Sequence, residues 1–139
     1  MKTKTPRLPT TLRLAPAVAW TATIWWSSSR TWPEARPLLA DLPRWLLAVL
    51  AVVPPDKLVH TGIYALLATL WRFGLHGRAR ATLLAWALAS GFGGLDEVHQ
   101  SWVPGRSSDP WDLLADATGA ALALLCWTLL AKRAKPPAP

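Results

Sequence analysis

The sequence predicts an all-α, polytopic membrane protein with about four transmembrane helices plus a short interfacial or re-entrant helix. Three observations predict it. Apolar residues fill 52% of the 139 positions and charged residues only 17%, well under the quarter usual in soluble domains. Four uncharged apolar runs recur along the chain: Leu14–Ser29, Leu58–Trp71, Ala81–Leu95 and Ala117–Ala131. The charges between them are sorted by sign. Lys2, Lys4, Arg7 and Arg13 form one group without a carboxylate, Arg72, Arg78 and Arg80 a second, and Lys132, Arg133 and Lys135 a third. All eight acids fall in the stretches between those groups, with the other five bases.

Alternation of this kind is what four membrane crossings produce. Under the positive-inside rule the acid-free basic groups are cytoplasmic, and so are both termini. A net charge of +7 would by itself also suit a nucleic-acid partner. A soluble bundle with a basic surface gives no reason for the alternation, however, so no nucleic acid is expected. The single cysteine excludes a disulfide scaffold, and the apolar content excludes disorder. Of ten tryptophans, Trp25, Trp26, Trp32, Trp71, Trp102, Trp111 and Trp127 lie near run ends, as interfacial belts require.

None of the four runs reaches the roughly 18–20 residues that cross a bilayer on hydropathy alone. To span, the later three helices must draw their polar ends inward: Asp56 to His60, Asp96 to Gln100, and Asp112 to Asp116. Those ends all fall on the side opposite the basic groups, which makes it the extracytoplasmic side.

The elements follow in order. Residues 1–11 form a basic cytoplasmic tail, 12–131 the membrane domain and 132–139 a second basic tail. The first apolar run has no small-x-small cleavage site and reads as a retained helix, with Pro16 near its start. Thr31–Pro55 is a proline-rich connection, within which Trp45–Val53 is apolar but too short to cross. Helix two begins near Asp56 and ends around Phe73-Gly74. Helix three runs from Ala81 to Gln100, with Gly91, Gly93 and Gly94 admitting a close neighbour. Pro104-Gly105 predicts a type II turn in the loop that follows. Helix four runs from Pro110 to Ala131, with Asp109 as N-cap and Asp112 in the acidic N3 place. Gly119, Ala120, Ala121 and Ala123 are its close-packing face, and Cys126 reads as packing.

The chemistry-bearing residues cluster at the polar ends. Asp56 and His60 are four apart and share a helical face, with Lys57 three residues from His60 and Tyr64 one turn deeper. Glu97 and Gln100 share a face with Gly93, whereas Asp96 and His99 are expected to point elsewhere, into solvent. Asp112 and Asp116 repel each other at i, i+4 unless cations or protons intervene. Lys57 and Arg106 are the bases placed to answer them. One buried network of Asp56, Lys57, His60, Glu97, Gln100, Arg106, Asp112 and Asp116 is therefore expected. Ionisable groups inside membrane helices are costly and normally functional. No phosphate loop, HExxH pair or nucleophile elbow is present. No cofactor is expected, and no metal either, since the spacing carries no metal signature and Lys57 and Arg106 would oppose a cation.

The candidate roles follow from residue type. His60 and Glu97 serve as acid/base or orienting groups, Lys57 and Arg106 clamp an anionic group, and Asp56, Gln100, Asp112 and Asp116 fix the geometry. An outward-facing pocket of this kind suits the headgroup of a membrane lipid or a lipid-linked envelope intermediate. Two other classes use the same residues: a small transporter or proton-coupled channel, and a purely structural network that locks the helices together.

The runs Asp56-Lys57-Leu58-Val59-His60, Leu95-Asp96-Glu97-Val98-His99-Gln100, Val103-Pro104-Gly105-Arg106 and Asp112-Leu113-Leu114-Ala115-Asp116-Ala117-Thr118-Gly119 resemble the VanZ-like family. The resemblance covers roughly Trp45 to Leu130, with four motifs in order. It implies a small integral protein of the bacterial inner membrane. The family is named for a protein that gives low-level teicoplanin resistance, which ties it by analogy to the cell envelope. Relatives often carry Asn where this chain has Asp116; either side chain accepts a hydrogen bond.

Overall fold

The computed structural model describes residues 8–30, 43–44 and 54–133. Among them it is all-helical, with four helices: α1 Thr10–Ser28, α2 Pro55–Gly74, α3 Ala81–Gln100 and α4 Pro110–Arg133. The short apolar segment Trp45–Val53 lies outside the described residues.

Local chemistry explains most of the boundaries. α2 starts on Pro55, whose fixed φ suits a first helical position, with Asp56 in the positively polarised first turn. The α2–α3 turn needs two left-handed residues, supplied by Gly77 at φ 85° and Arg80 at φ 57°. Gly105 at φ 80° and the Arg106 N–H bond to the Val103 carbonyl (3.1 Å) make the type II turn that Pro104-Gly105 predicts. α4 opens with the Asp109 carboxylate accepting the Trp111 N–H at 3.0 Å, the N-cap expected of it. One expectation fails at α1. The helix begins at Thr10, so Pro16 sits in its interior, where it deprives the Leu12 carbonyl of its intrahelical donor.

Side-chain contacts give the order in space. Trp20 Nε1 donates to the Ile63 carbonyl (3.2 Å), and Arg13 to the His76 carbonyl, so α1 runs antiparallel to α2. Ser28 meets Asp96, so α1 and α3 end together. Lys57 meets Asp112 near one end, and the Arg72 guanidinium lies over the Trp127 ring near the other, so α2 and α4 run side by side. The result is an up-down-up-down bundle in which α2 and α4 form the most extensive pair.

Small residues let that pair close. A Cβ on Gly119 would run into the Thr61 carbonyl, and one on Gly93 would come within 2.7 Å of the Asp116 carboxylate. Gly91 and Gly94, expected to play the same part, have nothing within 4 Å. On α4, Ala120 is buried but Ala121 faces out, and so does Cys126, which is exposed rather than packed in the core.

Acidic side chains share the interior with an apolar core that includes Ile24, Leu67 and Leu124. The interior holds Ala68, Ala85, Ala89 and Ala120 alongside Asp96, Glu97, Gln100, Asp112 and Asp116. Leu58, Val59, Leu66, Leu83, Leu88, Leu95, Leu122, Leu125 and Leu130 all face outward. α1, α2 and α3 have 19, 20 and 20 residues, each close to 30 Å long at about 1.5 Å per residue. α4, with 24 residues, is the one described helix both long and apolar enough to cross a bilayer by composition.

Candidate functional site

Four helix ends meet at one pole of the bundle: the last turns of α1 and α3 and the first turns of α2 and α4. Each contributes polar side chains, and the eight residues predicted from sequence are all at this pole. They form two linked clusters rather than one uniform network.

The outer cluster centres on Lys57. Its ammonium reaches Asp109 at 2.5 Å, Asp112 Oδ1 at 2.6 Å and Asp56 at 2.9 Å. An ammonium has three N–H donors, so this one is saturated. To clamp an incoming anion, the role predicted for it, Lys57 would have to give up one of these carboxylates. Asp56 is more than half exposed, at the rim, and is not buried as predicted. Asp109 does more than cap α4: the Lys57 ammonium holds its carboxyl below the usual carboxylate range, and its backbone N–H donates to Glu97 Oε2 at 2.7 Å.

The inner cluster centres on His60. Its Nδ1 lies 2.9 Å from Asp116 Oδ1 and its Nε2 3.8 Å from Asp112 Oδ2. A carboxylate can only accept, so Nδ1 carries the hydrogen toward Asp116. The ring stacks parallel to buried Tyr64, 6.4 Å away. Glu97 is 5% exposed and Asp116 fully buried, yet Glu97 Oε1 and Asp116 Oδ2 have no hydrogen-bond partner among the described residues.

A polar chain beside the inner cluster reaches α1. Ser28 Oγ donates to Asp96 Oδ2 (2.8 Å), Gln100 Nε2 donates to the same oxygen (2.9 Å), and Arg106 Nη2 donates to Gln100 Oε1 (2.6 Å). Asp96 was expected in solvent; it is 2% exposed. The cause is geometric. Asp96 and Gln100 are four apart and stack on one face, while Glu97 flanks them toward α4, so both acids point inward. His99 also finds partners, stacking on Trp25 at 4.0 Å and meeting Ser29 Oγ at 2.9 Å. Ser28 escaped the sequence reading. Its signal was the Ser27-Ser28-Ser29 run closing an apolar helix, since a hydroxyl there must find a partner or water.

These groups border a cavity of about 620 Å³. Asp56, His60, Asp96, Gln100, Arg106 and Asp112 supply its polar wall and Ile24, Val59 and Ile63 its apolar one. Lys57 does not line it; it borders a second recess with Asp109, Trp111 and Leu114.

No curated protein and no solved structure matches the chain. The family model VanZ/LLP1 matches residues 13–131, a stretch that contains all four helix-end motifs of the polar pole. The chain belongs to the VanZ/LLP1 family.

Proposed function

We propose that this is a four-span membrane protein whose polar pole binds the headgroup of a cell-envelope lipid or lipid-linked glycan. One observation carries the reading: a cavity with a hydrogen-bonding wall and an apolar wall opens at one end of a bundle whose exterior is leucine. So large an apolar exterior calls for a covering phase, and lipid is the one that fits four helices of near-bilayer length.

The ends of the bundle support the orientation. Arg13, Arg72, Arg78, Arg80, Lys132 and Arg133 lie at the pole opposite the carboxylates, which makes that pole cytoplasmic under the positive-inside rule. Exposed Trp25, Trp26, Trp102 and Trp111 ring the acidic pole, and Trp71 and Trp127 lie toward the basic one, as two interfacial belts would be placed. α2 and α3 cross only with their polar ends included, which fits because those ends are paired inside the bundle.

Within the cavity the acceptors outnumber the donors. Asp56, Asp96 and Asp112 suit sugar or glycerol hydroxyls, and Arg106 supplies the contact for an acidic group. Ile24, Val59 and Ile63 would lie along the lipid stem. The test is lipid mass spectrometry on the purified protein: one headgroup class is enriched over bulk phospholipid and is lost in Arg106→Gln. Equal amounts of every bulk phospholipid would defeat the reading. For topology, single cysteines at Gly105 and Gly77, in a Cys126→Ser background, should label from opposite sides; labelling from the same side removes the outward pocket.

A further inference from the structure

We infer that His60, Glu97 and Asp112 form a binding site for one divalent cation of the Mn²⁺ or Zn²⁺ kind, oriented by Asp116. One donor atom from each of the three lies within 4.8 Å of the others. The sequence carries no metal-ligand spacing for such a site, because its three ligands come from three different helices.

Clustered acids alone do not make a metal site; three further features distinguish this one. First, Glu97 Oε1 is buried without any partner among the described residues, and a carboxylate oxygen withdrawn from water at such cost calls for a proton or a cation. Second, the histidine is held as metal-bound histidines are held. Its Nδ1 faces Asp116, so once the other ring nitrogen is deprotonated its Nε2 lone pair points toward Asp112 Oδ2 at 3.8 Å, where a cation would take the place of the proton. That separation is too long for a hydrogen bond. It is close to the ~3–3.5 Å between two ligand atoms that share an ion at about 2.1 Å. A carboxylate behind the ligating imidazole is the usual second partner in such sites.

Third, each base expected to repel a cation is tied to carboxylate or amide partners, and Lys57 takes only the outer oxygen of Asp112. Lys57 is bound by Asp56, Asp109 and Asp112 Oδ1, leaving Oδ2 facing the histidine. Arg106 is turned to Gln100. No fixed cation touches Glu97 or Asp116 among the described residues. One imidazole and two carboxylates, with the lone Cys126 far along α4, select a borderline or hard divalent ion over a soft one. Three protein donors leave at least one coordination position, and His60 and Asp112 both line the cavity. A bound cation would let that acidic wall accept an anionic headgroup. This last consequence rests on the headgroup reading; the cation site does not.

The experiment is titration of the detergent-purified, chelator-stripped full chain with Mn²⁺, read by calorimetry and by pulsed electron spin resonance. One equivalent is expected, with nitrogen coupling that changes on ¹⁵N-histidine labelling. Glu97→Gln should weaken binding at least about tenfold, Asp116→Asn about 10–100-fold, and His76→Ala, at the opposite pole, should leave it unchanged. Glutamine keeps an oxygen for the Asp109 N–H, and a cooperative melting transition within a few degrees of wild type establishes that the variant is folded. No binding by the wild type, bound Mn²⁺ without histidine coupling, or equal affinity in Glu97→Gln each overturns the site. Lipid enrichment is scored separately, so a failed cation site leaves the headgroup reading standing or falling on its own data.

Discussion

The two clusters at the polar pole are built from the same residue types and differ in how far they are satisfied. Around Lys57 each ammonium donor has a carboxylate, and Asp56 and Asp109 keep some contact with solvent. Around His60 the acids are deeper, and Glu97 and Asp116 each have an oxygen with no partner among the described residues. A saturated cluster holds helices together. An unsatisfied one costs stability, which is the ground for the binding site proposed there.

The largest effect should come from unbalancing the saturated cluster. Lys57→Met leaves the carboxylate of Asp112, 11% exposed, beside Asp109 and Asp56 without a counter-charge. Breaking a buried pair from one side costs about 3–5 kcal/mol, so the melting temperature of the detergent-solubilised protein should fall by well over 10 °C on the usual scaling for a domain of this size. Glu97→Gln, in the other cluster, should move it by only a few degrees in either direction. Equal losses in the two variants would erase the distinction between the clusters.

Next in size is the polar chain from α1. Asp96→Asn keeps one oxygen to accept from both Ser28 and Gln100 but removes the charge that strengthens those two bonds. A charge-assisted hydrogen bond of this kind is worth about 1.5–3 kcal/mol, and the loss should appear as a lowered melting temperature. Ser28→Ala removes the α1 donor alone and should cost about 1–3 kcal/mol, the penalty for leaving a buried acceptor short of a partner. If both variants melt like wild type, the Ser28–Asp96 link does not hold α1, which then rests on its packing and its bonds to Ile63, His76 and His99.

Much of this was legible before any coordinates. The α3 boundaries, the start of α4, the turn at Pro104-Gly105 and the gathering of all eight site residues follow from apolar runs, caps and charge sorting, because each is written in adjacent residues. What stayed hidden depends on neighbours from other helices. Helical spacing put Glu97 and Gln100 together, yet Asp96 and Gln100 satisfy the same rule at four residues, and only the position of Ser28 on α1 shows that this face also turns inward. Whether Lys57 is free or saturated likewise depends on Asp109, which its own local cap seemed to explain in full.

The glycines of α3 sharpen the same point at the smallest scale. Sequence assigns Gly91, Gly93 and Gly94 one packing role, but a helix turns about 100° per residue, so they cannot all face one neighbour. Only Gly93 meets the inner cluster, where an added Cβ would lie 2.7 Å from Asp116 Oδ2 and 3.3 Å from the Tyr64 ring. Gly91→Ala and Gly94→Ala open onto space and remove a helix-weakening glycine, so each should stabilise by about 0.5–1 kcal/mol. Gly93→Ala gains the same backbone term and loses it against the displaced carboxylate. It should therefore lower the melting temperature and weaken any ligand of His60, whose Nδ1 depends on that carboxylate. Stabilisation by all three alanines would mean that Asp116 has room to move, and that the inner cluster is looser than its unsatisfied oxygens imply.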